Sequence, residues 1–236
     1  MREDRFFITT KIKKGKLEIS DKEIFHQLKN VLRKKVEDRI ILFDGSGIEA
    51  EAEIKKFLKD KIEVEVLNIE KPEREPKIFV SLFCSILKKS NFELVVQKAT
   101  EIGVKEIVPI LGKKTVKTGL NFKRLEKIAK EAAEQSKRVT LPKIERVLSF
   151  KEAAERAKNF DLKILFDISG KDFSLAKKGA KSVAIFIGPE GGWDKSEIEM
   201  AKKENFEILN LGKLNLRSET AAIIASFLTI HLLSSK

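Results

Sequence analysis

Two short stretches near the C-terminus of this 236-residue chain hold the residue types best suited to chemistry. In the first, the apolar run Val183-Ala-Ile-Phe-Ile187 breaks at Gly188-Pro189-Glu190-Gly191-Gly192-Trp193. In the second, a run ending at Leu211 breaks at Gly212 and passes through Leu214 and Leu216 into Arg217-Ser218-Glu219-Thr220, directly before the apolar stretch that opens at Ala221. Glycine lets bare N–H and C=O groups approach a ligand where a side chain would block it. A Gly-Pro-Glu-Gly-Gly segment is also an ordinary turn composition, so the first stretch alone does not make a site. Four polar side chains at the mouth of an apolar helix do point to one. Neither stretch has the spacing of a Walker phosphate loop or of the Gly-x-Gly-x-x-Gly dinucleotide fingerprint.

The elements that must position these residues read as strand, loop, helix, twice over. Short Val- and Ile-rich runs stopped by glycine are buried strands, and Asp194 and Ser218 read as helix N-caps, Asp194 with Glu197 completing a capping box. Ligand crevices in open α/β sheets lie outside the carboxyl ends of strands, which is where both stretches fall. Upstream, from Lys77, apolar strands alternate with helices over 91–102, 122–138 and from the Ser149/Glu152 capping box, with a strand near 143–147. This alternation predicts a parallel sheet covered on both faces.

The first 70 residues read differently. Strands from Arg5 and up to Ile19 flank a Lys11–Lys16 turn, Ser20 and Glu23 make a capping box, a further strand follows at 39–44, and the runs at 48–54 and 62–67 alternate with period two. Such short strands with tight turns predict a small antiparallel barrel or sheet. Lys71-Pro-Glu-Arg-Glu-Pro76, with two prolines and no apolar residue, reads as a linker between domains spanning 1–70 and 77–236.

Composition narrows the chemistry further. With two His and one Cys in the chain, neither a His/Cys zinc site nor a Ser-His-Asp triad has material to be built from, and no metal is expected. Cys84 lies in an apolar strand-like run and reads as a buried small hydrophobe, distant from both loops. The net charge is +12, of which residues 77–150 carry +9. A localised basic field draws polyanions, so a nucleic acid is the natural partner. The N-terminus lacks an apolar signal core, and the longest apolar run, Ile223–Leu233, is interrupted by Ser226, Thr229 and His231. It is too short to span a bilayer, so the expected place is the cytoplasm.

Four blocks in order carry a family resemblance: Lys98-Ala-Thr-Glu-Ile-Gly-Val, Glu131-Ala-Ala-Glu-Gln-Ser-Lys-Arg138, Gly188-Pro-Glu-Gly-Gly-Trp and Leu211-Gly-Lys-Leu-Asn-Leu-Arg-Ser-Glu-Thr-Ala221. Together they resemble the bacterial ribosomal RNA N3-uridine methyltransferases of the SPOUT superfamily. The likeness runs over nearly the whole chain, including Arg33. It implies an α/β fold: a knotted parallel sheet covered by helices, preceded by a small PUA-like β-barrel that binds RNA. It also implies S-adenosylmethionine as methyl donor, N3 of a uridine in 16S ribosomal RNA or the small subunit as acceptor, and a homodimer. Where the family has Gly-Asp before the third strand, this chain has Glu37-Asp38.

On that resemblance Ile187, Gly188, Pro189, Glu190, Gly191, Gly192, Leu211, Gly212, Leu214, Leu216, Ser218, Thr220 and Ala221 are expected to hold the donor. Arg5, Arg33, Lys98, Lys113, Lys114 and Arg138 are expected on the RNA side. Methylation of a pyrimidine C5 normally needs a cysteine that adds to C6, and a buried Cys84 leaves a nitrogen or ribose target. An imide anion spread over O2 and O4 wants a fixed cation, for which Arg217 is the first candidate. Glu219 is the nearest base, its other reading being a carboxylate that favours a helix N-terminus. Trp193 reads as packing or as a base-stacking platform. The alternatives are a non-enzymatic RNA-binding assembly factor and a SPOUT enzyme acting on transfer RNA or a ribose 2′-hydroxyl.

Overall fold

The computed structural model describes residues 4–116, 119–176 and 179–233. The chain forms two compact units: the first runs to Glu75 and also takes Ala133–Leu141, and the second holds Pro76–Ala132 and the chain from Pro142 onward.

In the first unit, β1 (Arg5–Phe7), β2 (Gly15–Ile19), β3 (Arg39–Phe43), β4 (Glu49–Phe57) and β5 (Ile62–Glu70) form one sheet in the order β1-β3-β4-β5-β2. The period-two pattern places Ala50, Ala52 and Ile54 of β4 and Ile62, Val64 and Val66 of β5 in the core, with intervening glutamates outward. The sheet departs from an all-antiparallel meander, because β1 runs parallel to β3 and lies at the edge opposite β2. Ile8 and Ile12 are buried in that core, so the connection between β1 and β2 is packed rather than a tight hairpin turn. The short helix α1 (Lys22–His26) is capped by Asp21 and not by Ser20: Asp21 Oδ1 accepts from the N–H groups of Glu23 at 2.8 Å and Ile24 at 3.2 Å. Glu37 adopts φ +74°, the left-handed conformation for which glycine is suited.

The stretch read as a linker is anchored at its end within this unit. Glu75 accepts from the Arg138 guanidinium at 3.2 and 3.0 Å and from the N–H groups of Val139 and Thr140 at 3.1 and 3.3 Å.

The second unit is a parallel sheet in the order β12-β10-β11-β6-β7-β8, with β9 also on β7. Its strands are β6 (Phe79–Ser85), β7 (Glu106–Leu111), β8 (Lys143–Ile144), β9 (Leu148–Ser149), β10 (Leu162–Asp172), β11 (Ser182–Ile187) and β12 (Glu207–Asn210). The helices are α2 (Lys89–Ile102), α3 (Phe122–Gln135, counted in this unit up to Ala132), α4 (Phe150–Ala157), α5 (Lys195–Lys203) and α6 (Ser218–Leu233). Alternate residues of one strand feed opposite cores: Val183, Ile185 and Ile187 pack with α2, α3 and α6, while Ala184 and Phe186 pack with α4 and α5. That is why these runs are continuously apolar. Of the expected strand at 143–147 only Lys143–Ile144 forms, as β8, with β9 following at Leu148–Ser149, and α3 stops at Gln135 because Lys137 turns left-handed at φ +60°. Both capping boxes, Ser149/Glu152 and Asp194/Glu197, are present. No described helix is long and apolar enough to cross a membrane.

Candidate active site

β11 delivers the first loop. Its last residue, Ile187, pairs with Cys84 of β6, and Gly188 follows. The loop closes as a turn in which the Gly192 N–H donates to the Pro189 carbonyl at 2.8 Å, with Gly192 at φ +67°. Trp193 then folds back beneath it. Its indole is buried, its Nε1–H donates to the Phe166 carbonyl at 2.9 Å, and it meets the Phe150 ring edge-on at 5.3 Å between centroids. Packing is therefore the role this tryptophan has, and the stacking platform is set aside.

The second loop leaves β12 at Asn210. Gly212 takes φ +115° and donates its N–H to Asn210 Oδ1 at 3.0 Å, while Asn210 Nδ2 donates to the Gly170 carbonyl at 2.6 Å. One amide side chain thus ties this loop to a third segment. β10 pairs with β12 up to Phe166 and again from Lys171, so residues 167–170 bulge out between the two registers.

The three segments wall one cavity of about 720 Å³, with Lys88 and Asn91 at the start of α2 on its rim. Gly188 and Gly212 both line it. So do Ile187, Pro189, Glu190, Gly191, Gly192, Leu211, Leu214, Leu216, Ser218 and Ala221, along with Arg217 and Glu219. Of the residues expected to hold the donor, Thr220 alone is not in the lining. Phe166, Asp167, Ile168, Lys88, Asn91, Asn210 and Asn215 line the cavity without having been singled out in the sequence.

The first turn of α6 carries the reactive side chains. The Ala221 N–H donates to the Arg217 carbonyl at 2.8 Å, so Arg217 occupies the cap position and Ser218 is already helical. Arg217 is exposed at the cavity, with no partner for its guanidinium among the described residues. Glu219 is 8% exposed, and its Oε2 is buried without a hydrogen-bond partner. A buried acceptor left unsatisfied costs about 1–3 kcal/mol, more when charged, which marks a site awaiting a donor.

Cys84 corrects one expectation. It is fully buried, as its run implied, yet it stands directly across from Ile187 and is not distant from the loop. Burial pushes its thiol far above the usual range, and the nearby Glu190 and Glu219 carboxylates act in the same direction. Protonation and enclosure, not distance, are what deny it a nucleophile's role.

The residues expected on the RNA side divide. Arg33 is exposed, at φ +53°. Arg5 and Arg138 are buried inside the first unit. Arg5 pairs with Glu49 at 2.6 Å and donates to the Arg138 carbonyl at 3.2 Å; Arg138 is held by Glu75. Their guanidiniums bind protein rather than phosphate. Lys98 pairs with Glu101 at 2.9 Å. Lys113 reaches the start of α5, its Nζ donating to Ser196 Oγ at 2.7 Å, and Lys114 reaches the first loop, its Nζ donating to the Trp193 carbonyl at 2.9 Å. In the same basic segment Lys117 and Thr118 lie outside the described residues.

Comparison with known proteins agrees with this geometry. A family model described as the RNA methyltransferase domain matches residues 73–229, and one described as the RNA methyltransferase PUA domain matches residues 19–67. Ribosomal RNA small subunit methyltransferase E of Rickettsia conorii is 31% identical over 233 residues, covering 95% of this chain and 94% of its own length. The protein of that name from Bacillus subtilis is 32% identical over 218 residues, 86% of this chain and 85% of its own. The crystal structure of a ribosomal RNA small subunit methyltransferase E from Neisseria gonorrhoeae, bound to S-adenosyl methionine, matches with a TM-score of 0.92 at 26% identity over 98% of each chain.

Proposed function

The chain belongs to the RNA methyltransferase family, and we propose that it transfers a methyl group from S-adenosylmethionine to N3 of a uridine in the 16S ribosomal RNA of the small subunit. The observation that carries this reading lies at the start of α6: Glu219, with one carboxylate oxygen buried and unpartnered, and Arg217, with an unpartnered guanidinium, both line the cavity that the two glycine loops wall.

The cavity fits the donor. Its lining combines Ile187–Gly192 with Leu211, Leu214 and Leu216, polar and apolar residues suited to an adenosine and an amino-acid moiety together. When bound, S-adenosylmethionine supplies a methyl carbon already activated by sulfonium, so the protein's task is placement and management of one proton. A uracil N3–H is a donor, and Glu219 Oε2 is the acceptor lacking one. Glu219 takes that proton, and Arg217 steadies the negative charge that spreads over O2 and O4. Alignment of the reacting groups accounts for up to about 7–11 kcal/mol of the barrier in favourable cases.

The rest of the reading follows the family. The first 70 residues serve as a PUA-like RNA-binding domain, with 77–236 as the catalytic one, acting in the cytoplasm. Threading of the 211–217 loop as a trefoil knot is part of it. In support, the chain runs from β12 at one edge of the sheet to α6, which packs on β6 and β11 at its middle. A homodimer joined through α6 is also part of it, since Phe227 and Leu232 are each 51% exposed on that helix. Mass mapping of 16S ribosomal RNA from cells with and without the protein tests the assignment. A single methyluridine that disappears with it, and returns on incubating stripped small subunits with protein and donor, is the expected result. An unchanged map sinks the proposal.

A further inference from the structure

The turn after β7 is stapled to the glycine loop that walls the cavity. Lys114 Nζ donates to two carbonyls of that loop, Gly191 at 3.3 Å and Trp193 at 2.9 Å. The opposite ends of the same two peptide planes are also held. The Gly192 N–H donates to the Pro189 carbonyl at 2.8 Å, and the Asp194 N–H donates to Glu197 Oε2 at 2.9 Å. The other oxygen of that buried carboxylate, Oε1, accepts the Lys113 N–H at 2.9 Å, so Glu197 joins the two segments a second time. Thr115 Oγ accepts the Gly112 N–H at 3.0 Å and fixes the turn that presents both lysines. Two peptide planes clamped at each end cannot rotate, so the loop that walls the cavity keeps one backbone conformation.

From this geometry we propose that Lys114 is a positioning residue for the methyl-donor loop and not a phosphate contact. The inference deepens the reading above and rests on it. Lysine suits the task because its ammonium can donate to both carbonyls at once while its stem lies against Gly191, where an added Cβ would stand 3.6 Å from the Lys114 Cβ and Cδ. Met in its place keeps the stem and removes the donors.

The test uses the full-length protein with S-adenosylmethionine and, separately, a ribosomal RNA fragment. Lys114→Met is expected to raise the calorimetric Kd and the KM for S-adenosylmethionine about tenfold, with kcat at saturating donor within twofold and RNA affinity unchanged. Lys114→Arg, whose fork reaches two acceptors, restores the Kd. Trp193 is the one tryptophan in the chain, so acrylamide quenching of its fluorescence without any ligand reads the loop directly. Quenching is expected to rise in Lys114→Met. Wild-type donor affinity in Lys114→Met, together with unchanged quenching or a fall in RNA affinity, overturns the role. Absence of any heat from the wild-type protein with S-adenosylmethionine overturns the donor assignment itself, a different result that the quenching measurement keeps apart.

Discussion

Gly188 lies against the Trp193 ring so closely that a Cβ added to the glycine would stand 3.1 Å from Cε2 and 3.2 Å from Nε1. The ring cannot retreat, being buried, edge-on to Phe150 and hydrogen-bonded to Phe166. Gly188→Ala should therefore displace the loop, costing about 1–3 kcal/mol of stability as an overpacking change and weakening S-adenosylmethionine more than tenfold. Gly191→Ala is the matched control. Its Cβ meets Lys114 only at an ordinary 3.6 Å and its φ is not left-handed, so affinity should stay within threefold. Calorimetry and thermal melts of the two variants, side by side, check this; equal effects would show that the ring contact is not limiting.

Arg217 and Glu219 separate catalysis from stability. On the proposed mechanism Glu219→Gln lowers kcat by about 10²–10⁴ and Arg217→Ala by about 10²–10³, with donor affinity within threefold of wild type. If Glu219 serves only the positive end of α6, Glu219→Gln instead costs about 0.3–1 kcal/mol of stability and leaves kcat alone. Single-turnover methylation of a ribosomal RNA substrate, alongside a melt, decides between them.

Away from the cavity, an ion-pair cluster sets a pH dependence. Glu145 accepts from the Arg156 guanidinium at 3.1 Å and the Lys143 ammonium at 2.5 Å, and Arg156 also pairs with Glu106. The hydrogen bond from Arg156, then that from Lys143, brings the Glu145 carboxyl down from 4.5 to about 2. A folded-state pKa below the unfolded one gives stability that is present above about pH 4.5 and lost as pH falls toward 2. Allowing for solvent screening, the loss is about 1 kcal/mol, or roughly 2–4 °C in Tm for a chain of this size. Glu145→Gln should remove that part of the acid slope in melts between pH 5 and 2.5. An identical slope in the variant would put the acid loss elsewhere.

The strand exits were legible because both signals are local: an apolar run and the glycine that ends it. The third wall was not. Phe166-Asp-Ile-Ser-Gly170 looks like a strand running out, and its bulge comes from where β10 re-registers on β12, a non-local fact. Charge was likewise visible without its partner. Lys114 reads as a phosphate contact until the Gly191 and Trp193 carbonyls appear beside it, and Arg5 and Arg138 until Glu49 and Glu75 do. The Glu37-Asp38 turn shows the reverse case. The departure from Gly-Asp left the geometry of this turn open, and Glu37 nonetheless takes φ +74°, the left-handed conformation suited to a glycine.

That left-handed residue makes a stability prediction. A non-glycine side chain in this region costs about 1–2 kcal/mol, and glycine returns part of it as unfolded-state entropy, about 0.4–1 kcal/mol. Glu37 keeps its N–H bonded to the Ile54 carbonyl at 2.8 Å, which glycine preserves. Glu37→Gly should therefore stabilise the protein by about 0.5 kcal/mol in a urea titration with an unchanged m-value. A lower midpoint would mean that the Glu37 side chain contributes more than its backbone costs.

Gly170 closes the third wall, and its requirement is steric. A Cβ there would stand 2.6 Å from both the backbone N and C of Leu209, the residue that β10 meets twice, through Phe166 and again through Lys171. Backbone held in a strand pairing cannot yield as a flexible side chain can. Gly170→Ala must therefore push residues 167–170 outward, breaking the Asn210 Nδ2 bond to the Gly170 carbonyl and with it the link that orients Gly212. The expected outcome is a loss of about 1–3 kcal/mol and a matching fall in donor affinity, because two of the three cavity walls move together. Asn210→Asp isolates the link: it keeps an acceptor for the Gly212 N–H and loses the donor to Gly170, so affinity should fall while the strand pairing survives. Hydrogen exchange of the β10 and β12 amides reads that pairing independently, and loosened β12 amides in Asn210→Asp would show that the side chain holds the strands and not the wall.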